Sequence, residues 1–130
     1  MCVDPKFVRE VWPFVKHLIV AAMHRGDLSS FLGLERSVMA EGALLWLVIS
    51  RGKIAAAAVT ELQQTEWRKV CVLVACGGER MREWLPLIAG IEKFARQEGC
   101  SAVRIFGRKG WQRVLTDFCA KRIILEKEII

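Results

Sequence analysis

Two amphipathic helices are predicted in the N-terminal part of the chain. After Asp4-Pro5, a pair suited to a helix cap and a first helical position, apolar residues recur at three- and four-residue spacing. Pro13 lies inside this pattern and predicts a kink or a restart of the helix. Gly26-Asp27 predicts the end of the first helix and the cap of a second over residues 28–40. The first apolar face consists of Val8, Val11, Trp12, Val15, Leu18, Ile19 and Ala22.

Three strands are predicted next, because the hydrophobic pattern changes. Residues 44–49 are apolar on both faces, as in a strand that is covered from both sides. A tight turn at 50–53 leads to a second strand at 54–62, and a polar connection at 63–67 leads to a third strand at 69–75. These short connections predict an antiparallel meander.

A strand, a glycine turn and a helix follow one another around residue 77. The predicted turn is Cys76-Gly77-Gly78. Pro86 is tolerated only in the first turn of an unkinked helix, which predicts a helix start near Glu83 and a loop at 77–82. The first turn of a helix has unpaired N–H donors and a positive dipole end, so this stretch predicts an anion site.

The C-terminal part is predicted to contain a strand at 102–106, a short helix at 111–120 and a last strand at 122–130. A helix joins the first of these strands to the strand that ends at Ala75, so the two are expected to be parallel. Residues 1–130 are therefore predicted to form one α/β (α+β) domain, with a mixed sheet and helices on both faces.

The composition indicates a reduced protein outside the membrane. The five cysteines are odd in number and lack CxxC spacing, which argues against a disulfide framework and a zinc site. The longest apolar runs are much shorter than the roughly 18 to 20 residues that a bilayer requires. No signal peptide is apparent. We therefore expect a cytoplasmic protein with no metal.

The positive charge is confined to the second half of the chain. Residues 1–67 contain 7 Lys/Arg and 7 Asp/Glu, so the whole net charge of +6 belongs to residues 68–130. A basic half attracts anions such as phosphates or nucleic acid, although such an excess also serves solubility alone.

The order of elements resembles that of the Gcn5-related N-acetyltransferase (GNAT) family from Asp4 onward. Two likenesses are local: the turn after Ala75, where the family binds the pyrophosphate of coenzyme A, and residues 107–124, which look like the family's strand, short helix and final strand pair. The resemblance implies acetyl-CoA or CoA as the cofactor. The cofactor-binding residues that it implies are Val74, Cys76, Gly77, Gly78, Glu79, Arg80, Met81, Arg82 and Trp111.

The phosphate loop and the catalytic groups depart from the family's pattern. The family's loop has the form Q/R-x-x-G-x-G/A, whereas here Gly77 stands at the Gln/Arg position and Arg80 and Arg82 stand where glycines belong. Arginine side chains can hold a phosphate by charge-assisted hydrogen bonds. Many members use a tyrosine as the general acid, and this sequence contains no tyrosine.

The candidate catalytic residues are Glu61, as a general base, and Cys76, as a nucleophile at a strand end. Glu66 and His17 are alternative bases. No partner at a fixed spacing supports any of these residues, and a buried strand cysteine is the simpler interpretation of Cys76.

Three functions are compatible with these observations. The first is an acyl-CoA-dependent N-acyltransferase. The second is a non-enzymatic structural or assembly protein with protein partners, since similar small GNAT-like proteins occur in phage and prophage morphogenesis modules, including virion proteins. The third is nucleic-acid binding, with Trp111 stacking on a base. The basic residues for this third function are Arg104, Arg108, Lys109, Arg113, Lys121 and Arg122.

Overall fold

A mixed β-sheet of four strands organises the computed structural model, which describes residues 1–27, 29–78, 84–106 and 111–129. The strands lie side by side in the order β1 (Leu44–Ser50), β2 (Lys53–Gln64), β3 (Lys69–Gly78) and β4 (Ala102–Ile105). The first three are antiparallel neighbours, and β4 is parallel to β3. The predicted meander, crossover and α/β (α+β) class are confirmed.

Helices cover both faces of this sheet, also as predicted. They are α1 (Val8–Gly26), α2 (Phe31–Met39), α3 (Leu85–Gln97) and α4 (Trp111–Val114), and a 3₁₀ turn at Pro5–Phe7 precedes α1. Of the kink or restart predicted at Pro13, the restart is wrong, because α1 continues through this residue. Asp27 ends α1 in the left-handed conformation, whereas the cap of α2 is Ser30, whose Oγ accepts from the Gly33 N–H at 3.2 Å. The second helix therefore begins later than predicted.

Two hydrophobic cores lie on opposite faces of the sheet. Successive residues of a strand point to opposite sides, so Leu45 and Leu47 join the core under α1 and α2, and Trp46 joins the core under α3. Complete burial of an aliphatic side chain such as Ile19 or Ile91 contributes about 1.5–3 kcal/mol. Ala56, Ala57 and Ala58 of β2 are buried at 0% exposure, and their small side chains let helices lie close to the sheet.

The structure corrects the prediction for the C-terminal part. The helix predicted over 111–120 ends at Val114, and the Phe118 N–H donates to the Leu115 carbonyl in a turn. No strand forms over the described residues 121–129, which are all exposed; Ile130 lies outside the described residues. Alternating apolar residues favour a strand, but a strand also needs a neighbouring edge for its N–H and C=O groups. Within the described chain this segment pairs with no strand.

Candidate functional site

The pairing of β3 and β4 ends halfway along β3. The parallel pairs run from Val70–Ala102 to Leu73–Ile105, whereas β3 continues to Gly78. On the other side of β3 the register with β2 shifts, since Val59 pairs with Ala75 and Thr60 with Leu73. This shift leaves Val74 as an extra residue, which is the arrangement of a β-bulge, and bulges redirect a strand. One edge of β3 from Val74 onward is therefore open among the described residues.

A cavity of about 440 Å³ lies beside this open edge. Its wall is formed by the last turns of α1, the connection from α1 to α2, β2, β3, the end of β4, the starts of α3 and α4, and Ile124 near the C-terminus. We call it the β3–β4 cleft. The residues that line it are Ala22, Met23, Arg25, Ser29, Glu61, Gln63, Val72, Leu73, Val74, Ala75, Cys76, Gly78, Trp84, Ile105, Phe106, Trp111 and Ile124.

Four of the predicted cofactor-binding residues line the β3–β4 cleft: Val74, Cys76, Gly78 and Trp111. The Trp111 ring contacts the ring of Trp84, with centroids 5.0 Å apart and planes inclined by 51°. Gly77 does not line the cleft. The other predicted residues, Glu79, Arg80, Met81 and Arg82, lie outside the described residues.

The two glycines serve packing rather than a turn, which corrects the prediction. Both belong to β3 and pair with the alanines of β2. A Cβ atom at Gly77 would overlap the Leu18 carbonyl of α1, and one at Gly78 would overlap Ala55 and Ala56. Gly78 also has a φ of 141°, which residues with side chains rarely adopt. These glycines therefore let helix and strands approach closely.

Both candidate catalytic residues line the β3–β4 cleft, but at different positions along it, since Glu61 pairs with Val72 and Cys76 pairs with Ala58. Glu61 is half-buried on β2, and Cys76 is half-buried on β3. Burial raises the pKa of the Cys76 thiol far above its usual range, so the group is a neutral thiol at physiological pH. A cysteine nucleophile requires the thiolate, and this environment opposes its formation. The alternative bases, Glu66 and His17, do not line the cleft.

Several residues that line the cleft were not predicted from the sequence. Gln63 lies two residues after Glu61 on the same strand face, and the two-residue period of a strand would have indicated it. Arg25 and Ser29 carried no such signal, because both lie far from β3 in the sequence, whereas Trp84 follows β3 closely and was missed as a lining residue. All five cysteines are free thiols, and burial together with the neighbouring Cys100 raises the pKa of Cys71 to about 11.

Three predictions about metals, membranes and nucleic acids concern the rest of the molecule. No cluster of three or more His, Cys, Asp or Glu side chains suited to a metal ion occurs within the described ranges. None of the helices described is long and apolar enough to cross a membrane. Of the basic residues considered for nucleic acid, Arg113, Lys121 and Arg122 are exposed, and Arg104 is half-buried. Arg108 and Lys109 lie outside the described residues.

Solved structures that superimpose on this chain include acetyltransferases. A probable acetyltransferase superimposes with a TM-score of 0.68 at 12% sequence identity, over 100% of this chain and 96% of the other. A GNAT family acetyltransferase from Staphylococcus aureus superimposes with a TM-score of 0.64 at 13% identity, over 99% and 96%. The chain has a GNAT-like fold.

The GNAT-like fold is also that of an aminoglycoside acetyltransferase from an uncultured soil metagenomic sample. It superimposes with a TM-score of 0.64 at 11% identity, over 100% of this chain and 90% of the other. By sequence, no family model and no curated protein matches the chain. At identities this low the likeness establishes the fold, and the resemblance seen in the order of elements is confirmed to that extent.

Proposed function

We propose that this protein is an acyl-CoA-dependent N-acyltransferase whose cofactor arm lies in the β3–β4 cleft. The observation that carries the proposal is the end of β3–β4 pairing at Leu73 and Ile105, while β3 continues to Gly78 beside a cavity of about 440 Å³. In the GNAT family, the cofactor is held in the opening between two parallel strands that diverge. The proposal is therefore supported by an opening beside β3, the strand that corresponds to one of those two.

The shape of the opening suits an extended chain that carries amide groups. The open edge of β3 presents backbone N–H and C=O groups with no strand paired to them within the described residues. The pantetheine arm of coenzyme A is a narrow chain with two amides, and such a chain can bind a free strand edge as an added strand does. The aliphatic side chains of Val72 and Val74 and the Trp84–Trp111 pair supply apolar walls.

Glu61 is the proposed general base. Acyl transfer to an amine needs a neutral amine, so a base must take a proton from the ammonium form before the nitrogen attacks the thioester carbonyl. Glu61 is a carboxylate that lines the cleft, on the strand next to the open edge. The departing CoA thiolate takes up a proton from solvent or from the acceptor. Cys76 is a poor donor for this step, because burial raises the pKa of its thiol.

Positive charge for the phosphate groups of coenzyme A comes from Arg25, which lines the same cavity at the last turn of α1. Arg80 and Arg82 remain predicted phosphate ligands. Guanidinium groups bind phosphate with two parallel hydrogen bonds, and we propose that they replace the backbone cradle that glycines provide in the family.

Binding of acetyl-CoA tests the first half of the proposal. Calorimetric titration of the full chain is expected to show saturable binding, and Trp111→Ala is expected to weaken it about tenfold or more, since an aromatic wall is lost. Trp67→Ala is the matched control, because Trp67 is 86% exposed and does not line the cleft. Absence of binding at millimolar acetyl-CoA would contradict the proposal.

Acyl transfer to a panel of amines tests the second half. Glu61→Gln is expected to lower kcat by about 10²–10⁴-fold and to leave acetyl-CoA affinity unchanged, because the amide cannot accept the proton. Glu66→Gln is the control, since Glu66 lies outside the cleft. An equal loss in both variants would remove Glu61 from the mechanism.

A second candidate is a non-enzymatic assembly protein on the same fold, as in phage or prophage morphogenesis. Trp67 favours it, since this ring is exposed on a tight connection from β2 to β3. Thr65 fixes that connection: its Oγ accepts from the Trp67 and Arg68 N–H groups at 3.2 and 3.0 Å. A large aromatic side chain that is exposed on a connection with a fixed backbone is typical of a partner contact. This candidate would be favoured if the protein binds acetyl-CoA but transfers no acyl group. It would also be favoured if the protein neither binds acetyl-CoA nor transfers an acyl group.

A further inference from the structure

Two opposite charges lie in one row of the sheet at the β3–β4 cleft. Glu61 of β2 pairs with Val72 of β3, which in turn pairs with Arg104 of β4, and cross-strand partners share a face. Both strand neighbours of Arg104 belong to the core under α3, so the row lies on the other face, on the side of α1. Glu61 and Val72 line the cleft, as does Phe106, which follows Arg104 on the same face. Arg104 therefore lies at the border of the cleft, across from Glu61.

The guanidinium of Arg104 has no ion-pair partner among the described residues. Its Nε atom is buried and forms no hydrogen bond with any of them. The terminal nitrogens are not buried in this way, and the residue as a whole is half-buried, so this end of the group is accessible. A guanidinium is one delocalised cation, and a carboxylate at its terminal nitrogens makes two parallel charge-assisted hydrogen bonds. The arginine is thus suited to an anionic ligand.

The same row lies where the open edge of β3 begins. The last pair of β3 with β4 is Leu73 with Ile105, one residue beyond Val72 and Arg104. In the proposed function the cofactor arm runs along β3 from the phosphate groups, near Gly78, toward this last pair. Its thioester end therefore lies beside the row, within reach of a molecule held between the two charges.

We propose, on the basis of the proposed acyltransferase function, that the acyl acceptor is a free α-amino acid whose carboxylate binds Arg104 and whose amino group faces Glu61. Adjacent strands lie about 4.8 Å apart, so the Cα atoms of these two residues are about 10 Å apart. Both side chains rise from one face on either side of Val72, and this gap suits a molecule whose ammonium and carboxylate are a few bonds apart. A peptide with distant termini does not meet both groups.

The side chain of the acceptor is expected to be apolar. Phe106 and Ile124 line the cleft although they are 57% and 63% exposed. Exposed apolar residues beside a small number of polar groups are typical of a ligand site. A second ammonium group on the ligand would lack a counter-charge, because Glu61 is the one acidic residue among the described residues that line the cleft.

The transfer needs only the amino acid, acetyl-CoA and Glu61. Glu61 accepts one proton from the ammonium, and the nitrogen then forms a bond with the thioester carbonyl carbon. The C–S bond breaks, and a second proton from the nitrogen passes to the departing thiolate. Glu61 returns its proton to solvent, and the products are an N-acetyl amino acid and coenzyme A. Arg104 changes no bond, but it fixes the carboxylate and so directs the nitrogen.

Three matched amines test the choice of acceptor. L-leucine, L-leucinamide and isopentylamine have the same hydrocarbon chain, and only leucine has a carboxylate. With acetyl-CoA as the donor, kcat/KM is expected to be about tenfold or more higher for leucine, because only its carboxylate bonds to Arg104. Leucinamide is the stricter comparison, since its amine loses a proton more easily than that of leucine. Equal rates would overturn the amino-acid inference and leave the acyltransferase function in place.

Variants of Arg104 show whether this residue causes the preference. In Arg104→Met the preference for leucine is expected to disappear through a higher KM, with the rate for isopentylamine unchanged. Loss of an unpaired buried N–H should not unfold the chain, and the urea midpoint checks this. Arg104→Lys keeps the charge without the planar fork, so an intermediate preference is expected.

Arg96→Met is the matched control, because Arg96 is an exposed arginine of α3, on the other side of the sheet. It should keep the full preference for leucine. A preference that survives in Arg104→Met, or that Arg96→Met also abolishes, would overturn the assignment of the carboxylate to Arg104.

Calorimetry separates this inference from the proposed function. Leucine titrated into the full chain with coenzyme A present is expected to bind saturably, and about tenfold or more weakly to Arg104→Met. Saturable binding of leucine without transfer to any amine would contradict the acyltransferase function and keep the amino-acid site. Absence of binding at the solubility limit of leucine would overturn the amino-acid site, whether or not the chain acylates other amines.

Discussion

The two faces of the sheet each bury a tryptophan, but they satisfy its indole N–H in different ways. On the face covered by α1 and α2, the indole N–H of Trp12 in α1 donates to Glu35 Oε2 in α2 at 2.7 Å. The Lys16 Nζ atom lies 3.2 Å from the same oxygen. Under α3, Trp46 donates to Thr60 Oγ1 at 2.9 Å, and both residues are buried. The first contact uses an ionised, partly exposed group and the second a neutral, buried one. The stability of the two faces should therefore respond differently to pH.

The two faces also differ in how closely a helix approaches. Gly77 touches α1 so closely that no Cβ atom fits, whereas a Cβ atom at Gly90 of α3 would lie 3.9 Å from Trp46 Cζ3, an ordinary contact distance. The α1 face thus depends on small residues along its interface. The α3 face depends on large ones, with Trp46 and Phe94 in edge-on contact at 5.7 Å.

The largest expected effect comes from adding one methyl group to each face. Gly77→Ala should lower the free energy of unfolding by about 3 kcal/mol, because the Leu18 carbonyl must move away. Gly90→Ala should raise it by about 0.5–1 kcal/mol, because alanine favours a helix and the space is available. Urea denaturation of both variants measures the difference. Equal effects would show that the two interfaces are packed alike.

Removal of the buried hydroxyl should have an intermediate effect. Thr60→Val leaves the Trp46 N–H buried without an acceptor, and we expect a loss of about 1–3 kcal/mol. The loss should be the same at neutral and at acidic pH, since neither group titrates there. A loss that changes with pH would show that a titrating group contributes to this contact.

The smallest effect is expected at the ionised contact. The hydrogen bond from Trp12 lowers the pKa of Glu35, and Lys16 lowers it further. The carboxylate therefore stabilises the fold fully above the ordinary glutamate pKa of about 4.3, and this contribution disappears as the pH falls through the lowered value. Thermal unfolding of Glu35→Gln should show a deficit against the unchanged chain at neutral pH and a shrinking deficit in acid. A deficit that is constant in acid would assign the effect to packing.

The predictions from the sequence are most accurate where the residue pattern within a single helix or strand determines its structure. The strands of the meander, the position of Pro86 at the second residue of α3 and the end of α1 at Asp27 agree with the predictions. The restart considered at Pro13 does not occur, because a single missing N–H does not end a helix whose apolar face is buried on a sheet. Glu61 and Cys76 were proposed from residue type and from their places in the predicted strands, and that both line one cleft depends on the register of β2 on β3.

The sequence by itself determined which segments are amphipathic, where most of them stop and that the sheet is mixed, because these properties depend on neighbours a few residues apart. The tertiary structure alone decided what the glycines do, where the cleft opens and that residues 121–129 pair with no strand of the described chain. The first two depend on groups far apart in the chain: Gly77 contacts Leu18, and the cleft is lined by Trp111, Trp84 and Ile124. A pattern along one strand or helix contains no information about the surface that it will meet.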